Sequence, residues 1–224
     1  MSVYFEYGQK ETEYLKTRDK TLAVYIEKIG HIYREVDTDL FSSVVHHIIG
    51  QQISTKAQAT IWQRMQNNFG MVDAQAIAYT DIARLQSFGM TFKKAEYIQD
   101  FAQKVLGGQF DLYGICSKSD EEAIKGLAAL KGIGVWTAEM ILLFCLQRPN
   151  VFSYGDLAIL RGLRLVYRHR RISRELFEKY RRRFSPYCSV ASLYLWAIAG
   201  GAIEGLTDPT PKNKERKNER KRKN

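Results

Sequence analysis

The sequence predicts an all-α fold, and three observations carry the prediction. Apolar residues recur at helical spacing along nearly the whole chain. Capping residues stand at the starts of these runs, and the four prolines fall where helices begin or end. No sustained alternation of apolar and polar residues occurs, apart from a weak one near Val3 to Tyr7.

The elements follow in order. Asp39 is a candidate N-cap for a helix burying Phe41, Val44, Val45, Ile48 and Ile49. Ser54 or Thr55 opens the next, with Ala57, Ile61, Met65 and Phe69 inward and Gly70 at its close. Asp81 starts a short helix through Leu85, and Thr91 caps one that buries Ala95, Ile98, Ala102 and Val105 before Gly107 and Gly108. Ser119 and Glu122 form a capping box ahead of Ile124, Leu127 and Leu130. Past Lys131-Gly132-Ile133-Gly134 a second helix packs Thr137, Ala138, Ile141, Leu142 and Cys145 and ends before Pro149. Another opens at Leu157, and Pro186 is expected at a first helical position after Ser185. The total is roughly ten helices by this reading.

Composition narrows the function classes. With 45% hydrophobic and 26% charged residues the chain is ordinary globular material. Cys116, Cys145 and Cys188 are too few and too widely spaced for a disulfide scaffold, a zinc module or a four-cysteine iron–sulfur cluster, and buried structural thiols are expected. The longest apolar stretch, Met140 to Leu146, is too short to span a bilayer, and no signal peptide is read at the start. An intracellular protein without a membrane partner is expected. Adjacent His46 and His47 lack the spacing to share a metal on a helix and are read as structural.

The net charge is +10. Residues 209–224 hold eight Lys or Arg against two Glu and no apolar residue, so a disordered basic tail is expected. It serves as an import signal, a non-specific nucleic-acid arm or a solubilising segment; composition separates none of these. From Arg161 to Arg183 ten Lys or Arg face two Glu, a pattern expected of a surface that meets a polyanion.

The chemistry concentrates between Leu127 and Leu163. Two glycines two apart let the backbone turn sharply, and the first-turn amides of the following helix make a phosphate site. LKGIGVWTAEM, followed by Val151-Phe152-Ser153-Tyr154-Gly155-Asp156, resembles the helix–hairpin–helix DNA glycosylases that carry a Gly/Pro-rich loop and a single aspartate, and is most similar to the 3-methyladenine DNA glycosylase II branch. Ile48-Ile49-Gly50-Gln51-Gln52-Ile53-Ser54 and Gly89-Met90-Thr91-Phe92-Lys93-Lys94-Ala95 resemble two further blocks of that family, and the resemblance runs from about Tyr14 to Glu204.

The resemblance implies a two-lobed fold with the active-site cleft between the lobes and no iron–sulfur cluster. One lobe would span residues 38–148 and the other 1–37 plus 149–208, in a compact form without the β-domain of the branch's larger member. It makes Asp156, also a natural N-cap, the catalytic carboxylate. Trp136 stands where bifunctional relatives carry a catalytic lysine, which implies base removal without strand cleavage. Trp136, Tyr154 and Tyr187 are candidate walls of a pocket for a cationic base; relatives carry further aromatics where Met140 and Leu157 stand. Gly132, Gly134, Lys131 and Thr137 are assigned to the DNA backbone, and Gln51 and Gln52 to the wedge that fills the gap left by a flipped nucleotide. Where Gln52 stands the branch often has an apolar residue. Backbone carbonyls of Ala128, Leu130 and Gly132 resemble a monovalent-cation site, for Na or K, and no other cofactor is required.

The implied activity is hydrolysis of the N-glycosidic bond of alkylated purines such as 3-methyladenine in duplex DNA, within base excision repair. The protein would act as a monomer on damaged double-stranded DNA, in the cytoplasm or nucleoid of a bacterium or the nucleus of a eukaryote. The alternatives are a glycosylase for deaminated or oxidised bases and a non-catalytic damage-binding protein. Deleting 209–224 is expected to weaken DNA affinity and to lower its salt slope, measured by titration at several salt concentrations; an unchanged slope would remove the tail from the interface.

Overall fold

The computed structural model describes residues 3–210, and among these thirteen α-helices and no strand occur. The three helices beyond the expected ten are accounted for by short elements, such as Ala74–Ala78 and Leu112–Ser117, which are too short to show a helical period. The sole trace of the alternation near Val3 is an isolated bridge between Tyr4 and Glu35, beside a Val36 amide that donates to the Val3 carbonyl at 2.9 Å.

The chain divides into two compact units. The first holds residues 3–5 and Glu35–Arg148 and contains α3 (Leu40–Gly50), α4 (Thr55–Phe69), α5 (Ala74–Ala78), α6 (Ile82–Ser87), α7 (Phe92–Leu106), α8 (Leu112–Ser117), α9 (Asp120–Ala128) and α10 (Val135–Phe144). Nearly every cap expected from sequence is made by a side chain. Asp39 accepts from the Ser42 amide, Ser54 from Ala57, Asp81 from Ala83 and Thr91 from Lys94, and Ser119 with Glu122 closes a capping box. The central helix is α3, which packs on α4, α7 and α10 and buries Val44, Val45, Ile48 and Ile49 completely. Phe41 stacks on Phe101 of α7, ring centroids 5.0 Å apart.

The second unit holds Glu6–Arg34 and residues 149–210, with α1 (Gln9–Arg18), α2 (Lys20–Ile29), α11 (Leu157–Tyr167), α12 (Arg174–Phe184) and α13 (Cys188–Ala199). Residues 3–5 and 35–37, expected with this unit, belong to the first, where the Tyr4–Glu35 bridge ties the two segments together. The core is α13 against α11, with α1, α2 and α12 around it. Pro186 is not a first helical residue: Tyr187 is the cap and α13 starts at Cys188.

Charge inside this unit is spent partly on itself. The Arg183 guanidinium donates to Asp19 at 2.6 Å, and Asp19 is buried while also capping α2 through the Leu22 amide. Arg164 grips Asp208 with two bonds, at 3.0 and 2.7 Å, and Arg168 donates to the Thr207 carbonyl. The basic stretch 161–183 is therefore not all available to a polyanion. Spacing alone does not distinguish an arginine that faces solvent from one that closes an ion pair across the fold. Thr210 bonds to Asp208, so 209 and 210 continue an anchored segment, and the disorder expected of the tail from 211 on lies outside the described residues.

Cys188 is buried and Cys145 half-buried, and burial pushes both thiols up to about 12. Cys116, contrary to expectation, is exposed, because it lies near the end of the short α8.

Burial lowers the pKa of His46 and His47 on α3, more than the Asp37 carboxylate raises it for His46, or the Ser43 carbonyl and Asp37 together for His47. The sign follows from linkage. The unfolded chain takes up these protons near the ordinary histidine value of about 6.5 while the folded unit resists them, so stability is lost as pH falls below that value. Thermal midpoints measured from pH 7.5 to 5.5 should decline, and the decline should be shallower in His47→Asn; an identical slope would show that His47 does not contribute.

Candidate functional site

In the first unit three of the quoted segments meet: the hairpin, residues 48–54 and residues 89–95. The hairpin is α9, a turn through Lys131 and Gly132, and α10. Gly132 has φ +83°, a left-handed conformation that disfavours side chains, and a Cβ there would run into the Tyr97 ring. Gly134 is the N-cap of α10, is exposed and has no atom within 4 Å of where a Cβ would stand. Beyond it the first-turn amides, from Val135 on, have no carbonyl ahead of them in the helix and sit at the positive end of its dipole. A Gly132→Ala variant should lose about 1–3 kcal/mol of stability together with phosphate affinity. Gly134→Ala should keep its stability and lose affinity alone, read by thermal unfolding and DNA titration.

The Lys131 ammonium lies 2.7 Å from Asp100, which also binds Lys104 at 2.6 Å. The two hydrogen-bonded ammonium groups lower the Asp100 pKa although partial burial raises it, and the pairing raises that of Lys131. Lys131 stays largely exposed, and the Glu96 carboxylate also acts on it. Thr137, assigned from sequence to the DNA backbone, is 6% exposed, so its side chain packs inward. Trp136 is 45% exposed on the first turn of α10, next to Val135 at 59%. It is not core.

The Gln51 amide nitrogen donates to the Gly132 carbonyl at 2.6 Å, so Gln51 faces the hairpin. Gln52 is exposed, with φ +58°. Of the two wedge candidates, Gln52 is the one presented to solvent. Lys94, quoted within its block but given no role from sequence, donates to the carbonyls of Ile49 at 2.8 Å and Gln51 at 2.6 Å. The signal for it was a lysine at the start of a capped helix, which reads equally as solvated. Of the carbonyls assigned to a cation, Leu130 accepts from the Ile133 amide and Gly132 from Gln51, and each oxygen keeps a second lone pair.

In the second unit the segment 151–156 is fastened to α13. The Val151 amide donates to Ser189 Oγ at 3.0 Å, the Ser189 amide donates to the Pro149 carbonyl, and Ser192 Oγ, which lies 3.4 Å from the Val151 carbonyl, is 2.9 Å from the Cys188 carbonyl. Neither serine stands out in the sequence, since both lie on an apolar helix. Phe152 stacks on Phe177 at 4.4 Å, and the Tyr154 ring meets Phe177 edge-on at 5.1 Å. The Arg174 guanidinium lies over Tyr154 at 4.9 Å. Tyr154 is thus half-buried, and Tyr187 likewise, its ring edge-on to Tyr14.

Asp156 is 7% exposed and caps α11: its Oδ1 accepts from the amides of Ala158 and Ile159, each at 2.9 Å. Two donors on one oxygen hold the carboxylate in a single orientation. Leu157 follows it at 81% exposure, an apolar side chain with no core to enter.

Comparison with known proteins identifies the family of the chain. Residues 45–186 match the family model described as HhH-GPD superfamily base excision DNA repair protein. DNA-3-methyladenine glycosylase 1 of Schizosaccharomyces pombe is 28% identical over 161 residues, covering 70% of this chain and 71% of that protein. DNA-3-methyladenine glycosylase 2 of Escherichia coli is 27% identical over 173 residues, covering 72% of this chain and 58% of that protein. The match likewise spans 59% of a Bacillus subtilis relative that is 28% identical. Among solved structures, the DNA-3-methyladenine glycosidase of Bacillus halodurans superposes with a TM-score of 0.80 at 30% identity, covering 91% of this chain and 95% of that one. No described helix is long and apolar enough to cross a membrane, and no described cluster of His, Cys, Asp or Glu has the makings of a metal site.

Proposed function

Because the chain belongs to the HhH-GPD superfamily of base excision DNA repair proteins, we propose that it is a DNA glycosylase that hydrolyses the N-glycosidic bond of alkylated purines in duplex DNA. The observation that carries the proposal is Asp156, a buried carboxylate with one oxygen fixed by two helix-terminal amides. As the bond from C1′ to the purine nitrogen breaks, its electron pair leaves with the base and positive charge develops on the sugar. An anion already oriented stabilises that charge without reorganising. Water then adds at C1′, and its proton passes to the carboxylate or to solvent. A purine alkylated at N3 or N7 carries its own positive charge and leaves neutral, so no second acid is required for it.

The exposed indole of Trp136 supports a role as a stacking wall for such a base. Indole has no amine for a Schiff base, which supports hydrolysis without lyase chemistry. Borohydride reduction during turnover should therefore trap no covalent protein–DNA adduct; a trapped adduct would assign lyase activity. The hairpin glycines and the first turn of α10 would hold a phosphate, with Lys131 beside them, and Gln52 would fill the gap left by the flipped base. A monovalent cation on the Ala128, Leu130 and Gly132 carbonyls would add positive charge for phosphate binding, and the chemistry does not pass through it. The central test is chromatographic detection of bases released from methylated duplex DNA. Release of 3-methyladenine or 7-methylguanine is expected. Retained DNA binding with no release, from alkylated, deaminated or oxidised substrates, would leave a binding protein.

A further inference from the structure

The turn that carries Gln52 is held from behind by polar contacts. α3 ends at Gly50, where an α-helix leaves its last carbonyls without amides. The Lys94 ammonium takes two carbonyls of this region, Ile49 and Gln51, and a cation there also suits the helix dipole. Burial lowers the pKa of Lys94, so the placement costs desolvation that the two carbonyls offset. On the other side of the same residue, the Gln51 side chain reaches Gly132 at the apex of the hairpin. A third brace comes from α4: the Gln58 amide lies against Gly50 where a Cβ would be and donates to the His46 carbonyl at 2.8 Å. Between these braces Gln52 adopts φ +58°, a conformation that costs a glutamine about 1–3 kcal/mol and persists only where its surroundings impose it. Residues 52–56 are all exposed, so apolar packing does not hold them.

We propose that Lys94 and Gln51 are positioning residues for base flipping: Lys94 fixes the Gln52 turn to α7 and Gln51 fixes it to the hairpin, so that docking of the hairpin on a phosphate delivers a rigid wedge. This rests on the reading of Gln52 as the wedge. Rigidity matters because unstacking a paired base costs a few kcal/mol, and a side chain on a yielding turn gives that energy back as backbone displacement. Neither residue touches the reacting atoms.

The test is single-turnover release of one methylated purine, either paired in a duplex or placed opposite an abasic site, where flipping costs least. The full-length protein is compared with Lys94→Met, Gln51→Leu and Gln52→Ala, with circular dichroism and thermal unfolding confirming that each is folded. Each variant should lose about tenfold or more on the paired substrate and return to within about threefold of the parent on the unpaired one. Equal losses on both substrates by Lys94→Met and Gln51→Leu would overturn the proposal in favour of a purely structural role. No loss on either would overturn it as well. If Gln52→Ala shows no difference between the substrates, the wedge reading fails and the proposal falls with it. If Gln52→Ala shows the difference and the other two do not, the proposal fails and the wedge reading stands. Absence of release by the parent on both substrates would overturn the glycosylase reading beneath both.

Discussion

Asp156→Asn should reduce base release from methylated duplex DNA by about 10²–10⁴-fold while leaving the fold intact, because the substitution removes a charge and keeps a cap. Asparagine is as good an N-cap as aspartate, and its side-chain oxygen accepts from the same Ala158 and Ile159 amides. Stability should change by no more than about 1 kcal/mol, the lost interaction of a carboxylate with the helix dipole being worth about 0.3–1 kcal/mol. DNA affinity should hold or rise, since an anion next to a polyanion is gone. Asp156→Ala removes charge and cap together and should cost about 1 kcal/mol more. Measuring release, binding and thermal midpoint on both variants separates the two roles. An asparagine variant within tenfold of the parent would reduce Asp156 to a helix cap.

Gly162→Ala is expected to be the most damaging small substitution in the second unit. A Cβ at Gly162 would lie 2.5 Å from the Leu195 carbonyl oxygen and 2.9 Å from the Leu195 Cβ, so the methyl meets backbone that has no rotamer to retreat into. Alanine normally gains about 1 kcal/mol over glycine inside a helix. Here overpacking of about 1–3 kcal/mol opposes that gain, and relief requires α11 and α13 to move apart. The thermal midpoint should fall by several degrees, on the order of 2–4 °C per kcal/mol for a chain of this size. Activity should fall further than the loss of folded protein explains, because Asp156 is the N-cap of α11. A variant that is more stable than the parent would show that the two helices separate without cost.

The local structure was largely legible in the sequence. Asp39, Ser54, Asp81, Thr91, Ser119 and Asp156 all cap the helices they precede, since a cap is a bond between a side chain and an amide two or three residues on. The hairpin glycines were legible for the same reason, as a local backbone requirement. Less legible were elements too short for a period, such as Ala74–Ala78, and the helix start at Cys188, where Tyr187 makes no side-chain cap bond. Trp136, an apolar residue in an apolar helix, is exposed, while the Thr137 side chain beside it is buried. Sequence position gives no direction to a first-turn side chain; the neighbours on other helices do.

By itself, then, the sequence determined the longer helices, their caps, the glycine hairpin and the place of Asp156 at a helix start, because each depends on residues within about one turn of one another. Only the tertiary structure decided what happens over long separations in the chain. Lys94 holds the turn at Gln51, Gln51 holds Gly132, Arg183 is committed to Asp19 rather than to solvent, and Ser189 pins the Val151 amide beside the loop that leads to Asp156. In each pair the partners meet because helices bury their apolar faces against one another, and a polar group carried into that contact must find its bond there.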